Sequence, residues 1–206
     1  MNHVGVLMST KPHILVVFGS TRQGRRGEVV VDWLRDRLAT RTDATFEFVD
    51  LREIPLSFFD SPVSPARGTI APEAAQWAEQ VDRADGYIFV TPEYNHSYSA
   101  VLKNALDHLY TQWVHKPGAI VSYGGMSSGY RAAEQLRLVL VELKMVPIRE
   151  QMGISLVPGV VPHIGDQPDS PGGAFLERAY SGMMTELLWW ANALTSARER
   201  DREQQS

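Results

Sequence analysis

The sequence predicts a doubly wound α/β fold, a five-stranded parallel sheet in the order 2-1-3-4-5 with helices on both faces. Three observations carry this expectation. Short continuous apolar runs, such as His13–Ser20 (HILVVFGS) and Gly86–Val90, read as strands buried on both faces. These runs alternate with stretches whose apolar residues recur at helical spacing, and right-handed crossovers then place the strands in one parallel sheet. Finally, polar corners follow the first, third and fourth runs. In the order 2-1-3-4-5 those strands are neighbours, so the three corners meet at the switch point, where open α/β sheets keep their ligands.

The elements follow in order. After His13–Ser20 comes the loop Gly19–Gly27 (GSTRQGRRG), then a helix over about Gly27–Thr40 with Val30, Val31, Leu34 and Leu38 as its buried stripe. Thr45–Leu51 (TFEFVDL) alternates and is rich in β-formers, so it is a strand, and its polar face puts it at an edge. Arg52–Ile70 carries three prolines and the pair Phe58-Phe59, which reads as a loop whose aromatics cover the core. A helix over Ala71–Asp85 turns Ala74, Ala75, Ala78 and Val81 inward, with Pro72 in its first turn. Gly86–Thr91 is the third strand. The helix that ends near Tyr110 carries Leu102, Ala105, Leu106 and Leu109, with Ser99 or Ser97 as its cap. Trp113–Pro117 reads as a loop, Ala119–Ser122 as the fourth strand and Arg131–Lys144 as a helix. Pro147–Val157 is the fifth strand, Val157–Gly173 a Pro- and Gly-rich loop, and Ala174–Arg198 the last helix. Residues 1–206 read as one domain, with 1–11 and the charged tail at 199–206 flexible.

Composition narrows the function. A net charge of −4 gives no basic excess for nucleic acid. The chain has no cysteine, which removes disulfides, thiolate nucleophiles and sulfur-ligated metals, and suits a reducing cytoplasm. No apolar run approaches the roughly 18 residues that span a bilayer, and the sequence MNHVGVLMST does not read as a signal peptide.

The three corners hold the candidate binding residues. The first has glycines, hydroxyls and arginines entering a helix, the pattern that offers backbone N–H groups to an anion. Ser20, Arg22, Arg25 and Arg26 are its candidate donors. Taken alone the loop reads equally as a solvated basic turn; its place after the first strand favours phosphate. The second corner, TPEYN, contributes Pro92, Glu93, Tyr94 and Asn95, a rigid turn with a flat ring, an amide and a carboxylate. The third, SYGGMSSGY, contributes Ser122, Tyr123, Gly124 and Gly125, and the glycines allow a ligand to approach the backbone.

The pattern PEYN-x₆-LKN-x-x-D, starting at Pro92, resembles the NADPH-dependent FMN reductase family, the flavodoxin-like flavoproteins that include quinone, chromate and some azo-dye reductases. The resemblance covers about residues 12–160. It implies FMN contacts at Ser20, Arg22, Pro92, Glu93, Tyr94, Asn95, Ser122, Gly124 and Gly125. The family's phosphate loop is usually GS-x-R-x-x-S, which Ser20 and Arg22 match, while Arg25 stands where serine is common. NADPH or NADH as co-substrate, a small-molecule electron acceptor, and dimers packed through the helices after the second and third corners are further implications. The expected reaction is ping-pong hydride transfer to a quinone or similar acceptor, in a homodimer or tetramer. A flavodoxin-like electron carrier without NAD(P)H turnover is the alternative. A hydrolase built on Ser20, Ser122, His96, Asp107 and His108 lacks a G-x-S-x-G elbow. A metal site from Glu93, His96, His108 and His115 lacks a spacing that brings ligands together.

Overall fold

The computed structural model describes residues 11–205, so the expectation for Met1–Thr10 lies outside the described residues. Strands β1 (His13–Phe18), β2 (Thr45–Asp50), β3 (Gly86–Pro92) and β4 (Pro117–Gly124) pair in parallel in the order β2-β1-β3-β4. Beyond β4 the expected single fifth strand is two short ones, β5 (Val146–Pro147) and β6 (Met152–Ser155), both paired to β4. Gly118 faces Pro147 and Val121 faces Met152, so three steps along β4 meet five along its partner. The surplus at Ile148–Gln151 bulges out of the ladder. Arg137 holds it there, donating to the carbonyls of Ile148 at 2.7 Å and Arg149 at 3.0 Å.

The helices are α1 (Glu28–Leu38), α2 (Ala75–Arg83), α3 (Ala100–Asp107), α4 (Tyr130–Glu142) and α5 (Pro171–Gln205). Side chains alternate across β1. Ile14, Val16 and Phe18 join α1 and α5 in one core layer, while Leu15 and Val17 join α2, α3 and α4 in the other. No helix among the described residues is long and apolar enough to cross a membrane.

Several expectations shift in detail. The inward face of α2 is Ala74, Trp77, Ala78 and Val81, with Ala75 exposed. That is the i, i+3, i+4, i+7 stripe, and it buries the bulkiest residue available. Trp77 donates its indole N–H to the Ala105 carbonyl at 2.8 Å and meets Trp113 edge to face at 5.8 Å. Phe58 is 80 % exposed, so only Phe59 of the pair packs inward, edge-on to His108. Asn104 fastens this loop, accepting from the Phe59 amide and donating to the Ser57 carbonyl. The charged tail does not fray within the described residues but extends α5 to Gln205. Arg198 anchors it, donating to Asp85 at 2.8 Å and to the His115 carbonyl. Asp85 also accepts from the Thr195 hydroxyl and from the His13 amide that begins β1.

The apolar residues expected to leave α3 and α4 short of cover are mostly buried in the chain itself. Leu102, Leu106, Leu109, Trp113, Leu136 and Leu140 are at most 1 % exposed, which leaves Leu138 and Val141 on the outer face of α4.

Lys116, at the start of β4, is buried and donates to the carbonyls of Val81 at 3.0 Å and Asp82 at 2.7 Å. Burial pushes its pKa down from 10.5 to about 8. The unfolded chain therefore holds a proton that the folded chain has lost between about pH 8 and 10. Stability should rise across that window, by on the order of 2 kcal/mol. Urea midpoints measured at stepped pH check this, and Lys116→Met should flatten the rise.

Candidate functional site

The three corners meet at the carboxyl ends of β1, β3 and β4, where the sheet order reverses direction. The first begins as Gly19 donates its amide to the Val90 carbonyl at 2.8 Å. Ser99 caps α3, accepting from the Leu102 amide at 3.2 Å, and its hydroxyl donates to the Gly19 carbonyl. One side chain thus starts a helix and ties two corners together.

Past Gly19 the backbone opens. Among the described residues, the amides of Ser20, Thr21, Arg22, Gln23 and Gly24 donate to no protein acceptor. Ser20 is wholly buried, and its hydroxyl shares a 2.8 Å hydrogen bond with the Tyr94 hydroxyl. Arg22 is exposed, has no carboxylate within ion-pair reach among the described residues, and lies 6.0 Å from the centre of the Tyr94 ring. Gly24 takes φ of +62°, which a Cβ would strain.

Arg25, one of the candidate donors of this loop, is already engaged by carboxylates. Its guanidinium grips Asp50 through both terminal nitrogens, donates to Glu28 at 2.8 Å and stacks 3.8 Å over the Phe18 ring. The Asp50 hydrogen bond raises its pKa, so the charge is fixed and already paired. Arg26 reaches across to donate to the Leu156 carbonyl at 2.7 Å.

At the second corner, Tyr94 and Ser97 exchange backbone hydrogen bonds at 2.8 and 3.1 Å. Between them Asn95 and His96 have φ of +49° and +74°, the signature of a two-residue type I′ turn. Asparagine tolerates that geometry, which explains its place there. Gln135 of α4 pins the turn through the His96 carbonyl and the Ser97 hydroxyl. Glu93 is a strut between corners. Its carboxylate accepts from Ser127 at 2.8 Å and from Arg131 at 2.6 Å. Burial alone would raise its pKa, yet the Arg131 and Ser127 hydrogen bonds outweigh that and hold it below the usual range.

At the third corner, the expected contact Ser122 is committed elsewhere. It is fully buried and donates to the carbonyls of Ser128 at 3.1 Å and Met152 at 3.3 Å. Those bonds hold the corner onto β6. Tyr123 is 3 % exposed, and among the described residues its hydroxyl has no partner within hydrogen-bond geometry. Burial pushes this phenol up. It closes over Gly27, where any Cβ would collide with the tyrosine and with the Phe18 ring. Gly125 is open, with nothing within 4 Å of where a Cβ would sit.

These residues enclose a hollow of about 200 Å³ lined by Arg22, Gly24, Arg25, Arg26, Pro92, Glu93, Tyr94, Tyr123, Gly124 and Leu156, so Arg25 and Glu93 border it although their charges are paired elsewhere. It opens onto a shallower space of about 500 Å³ over Arg22, Glu93, Tyr94 and Asn95. Another hollow of about 220 Å³ lies behind Arg25 against β2, away from the meeting point of the corners. Free amide donors, an unpaired arginine and an orphaned phenol suit an anionic, planar ligand. Sequence reasoning found the three corners but not Ser127, Arg131, Gln135 or Leu156. These act through contacts 34 to 130 residues apart, which no local pattern announces.

Comparison with known proteins agrees with this geometry. The model of the family described as NADPH-dependent FMN reductase matches residues 12–158. An NAD(P)H-dependent FMN reductase of Schizosaccharomyces pombe is 42% identical over 142 residues, 68% of this chain and 70% of that protein. An FMN-dependent NADPH-azoreductase of Staphylococcus haemolyticus is 30% identical over 154 residues, 74% and 77% of the two chains. Among solved structures, the flavoenzyme NAD(P)H:(acceptor) oxidoreductase FerB of Paracoccus denitrificans superposes with a TM-score of 0.66 at 19% identity, covering 88% of this chain and 98% of that one. That likeness establishes the shared fold, and the sequence matches go further: the chain belongs to the NADPH-dependent FMN reductase family.

Proposed function

We propose that the chain holds FMN across the carboxyl ends of β1, β3 and β4 and catalyses two-electron transfer from NADPH or NADH to a small-molecule acceptor such as a quinone. One observation carries this reading: the unpartnered amides of Ser20–Gly24 beside the unpaired Arg22. A row of free N–H groups with a guanidinium at its rim is a phosphate cradle. A single such loop suits FMN better than FAD, which needs room for a pyrophosphate. The names of the relatives, an FMN reductase and an FMN-dependent azoreductase, support the same cofactor.

When bound, FMN supplies the hydride chemistry. The chain's own residues bind, orient and shield. Ser20 and Arg22 take the phosphate, with Arg26 at the far wall of the hollow. Pro92, Tyr94, Asn95, Gly124 and Gly125 frame the ring, and the Tyr123 hydroxyl, which lines the hollow, lacks a partner among the described residues. Glu93 remains ionised and bound to Arg131, so it braces the corner and moves no proton. The open space over Tyr94 and Asn95 receives the nicotinamide and then the acceptor, which makes the order ping-pong. The cysteine-free composition suits work in a reducing cytoplasm. Stopped-flow absorbance of the flavin-loaded protein tests this reading. Bleaching by NADPH or NADH and recovery on adding a quinone are expected. No reduction by either nucleotide would leave an electron carrier in place of a reductase.

We further propose that two copies pair through α4, where Leu138 is 74% and Val141 60% exposed. Light scattering at micromolar concentration should give a mass of at least twice 23.0 kDa. A monomer there would refute the pairing, and Leu138→Glu should shift a dimer toward monomer.

A further inference from the structure

The backbone of the first corner makes one hydrogen bond of its own, from the Arg25 amide to the Arg22 carbonyl at 3.2 Å, and two arginine side chains brace it further from the β2 side. Arg25 donates to the Ser20 carbonyl, and Arg52 donates to the Arg22 carbonyl at 3.0 Å. One carboxylate touches both residues, Arg25 through its guanidinium and Arg52 through its backbone amide, while the Arg52 guanidinium has Glu28 at 3.9 Å. Asp50 takes Arg25 through both oxygens, and its Oδ1 also accepts the Arg52 amide at 2.9 Å. A trans peptide points its C=O and N–H in opposite directions. Pulling the Ser20 and Arg22 carbonyls toward β2 therefore turns the Thr21 and Gln23 amides the other way. Because β1 lies between β2 and β3, that other way is the side of Tyr94.

We propose that Asp50 is the positioning residue of the phosphate cradle, orienting the Thr21 and Gln23 amides toward the ligand through Arg25 and Arg52 without touching the ligand itself. This rests on the reading that the phosphate of FMN sits at Ser20–Gly24. It gives a role to Arg25, whose charge is spent on carboxylates yet whose side chain is only 4 % exposed. It also accounts for the last residue of an edge strand being an acid rather than another β-former. The cost of leaving five backbone donors unpartnered is met by this external scaffold, since a free loop would turn some of them inward.

Asp50→Asn keeps the size and an Oδ1 that can still accept the Arg52 amide, but it removes the charge and turns an NH₂ toward Arg25, so it loosens the Arg25 arm. FMN and riboflavin differ by the phosphate alone, and quenching of flavin fluorescence measures both affinities. Wild type should prefer FMN. Asp50→Asn should reduce that preference about tenfold while riboflavin affinity stays close to wild type. Arg52→Ala removes one arm at an exposed position and should give a smaller loss of the same kind; it decides the matter if Asp50→Asn does not fold. An FMN preference unchanged in the variants overturns the positioning role, as does an equal loss of both ligands, which would mark plain destabilisation. A wild-type protein that binds riboflavin as tightly as FMN would instead remove the phosphate reading, and this inference with it.

Discussion

Trp113→Ala should remove about 3–5 kcal/mol of folding stability. The indole is fully buried and touches Tyr87 edge-on at 5.0 Å and Trp77 at 5.8 Å, with Phe89 at 6.1 Å. It donates to the Leu106 carbonyl at 3.3 Å, so it also closes the end of α3. Alanine leaves a cavity that three rigid aromatic neighbours cannot collapse into, and a domain of this size has only about 5–15 kcal/mol in total. Urea unfolding followed by circular dichroism should show a lower midpoint with an unchanged slope. A loss below about 1 kcal/mol would mean that the aromatic cluster does not carry the α2–α3 layer. Because Trp113 lies beneath α3, whose cap Ser99 binds the Gly19 carbonyl, the variant should also lose flavin more readily.

Arg22→Ala should weaken FMN binding by roughly tenfold or more, the equivalent of about 1.5–3 kcal/mol for charge-assisted hydrogen bonds. The side chain is exposed and pairs with no carboxylate, so ligand-free stability should stay within about 0.5 kcal/mol of wild type. Riboflavin affinity should hardly move. Unchanged FMN affinity, or FAD bound more tightly than FMN, would place the phosphate elsewhere.

What could be read from the sequence was whatever local pattern determines. The apolar run of β1 and the stripe Val30, Val31, Leu34, Leu38 depend on neighbours in the chain, and the structure has both. Convergence of the corners followed from strand order, which handedness restricts to few choices. Side-chain commitments were illegible because they depend on distant partners. Arg25 reads in the sequence as one candidate donor among several, and the acid that engages it, Asp50, lies 25 residues on. The hydroxyl of Ser122 donates to Met152 of β6, 30 residues on, which no local pattern announces. The break between β5 and β6 was hidden for the same reason, since Arg137, which holds the bulge, sits on another element. Phe58 misled because a hydrophobicity argument ranks residue types and does not see which way a loop turns.

Asp85 joins three parts of the chain, and this has a mechanical consequence. Its carboxylate binds the first amide of β1 and, through Thr195 and Arg198, the far end of the 35-residue α5, while its own amide donates to the His13 carbonyl just ahead of β3. Tension drawn along α5 from its carboxyl end would therefore pass into β1 and β3 at the middle of the sheet and not into an edge. The load-bearing junction and the ligand corners lie at opposite ends of the same two strands, so a pull on the helix would be spent before it reached the cradle.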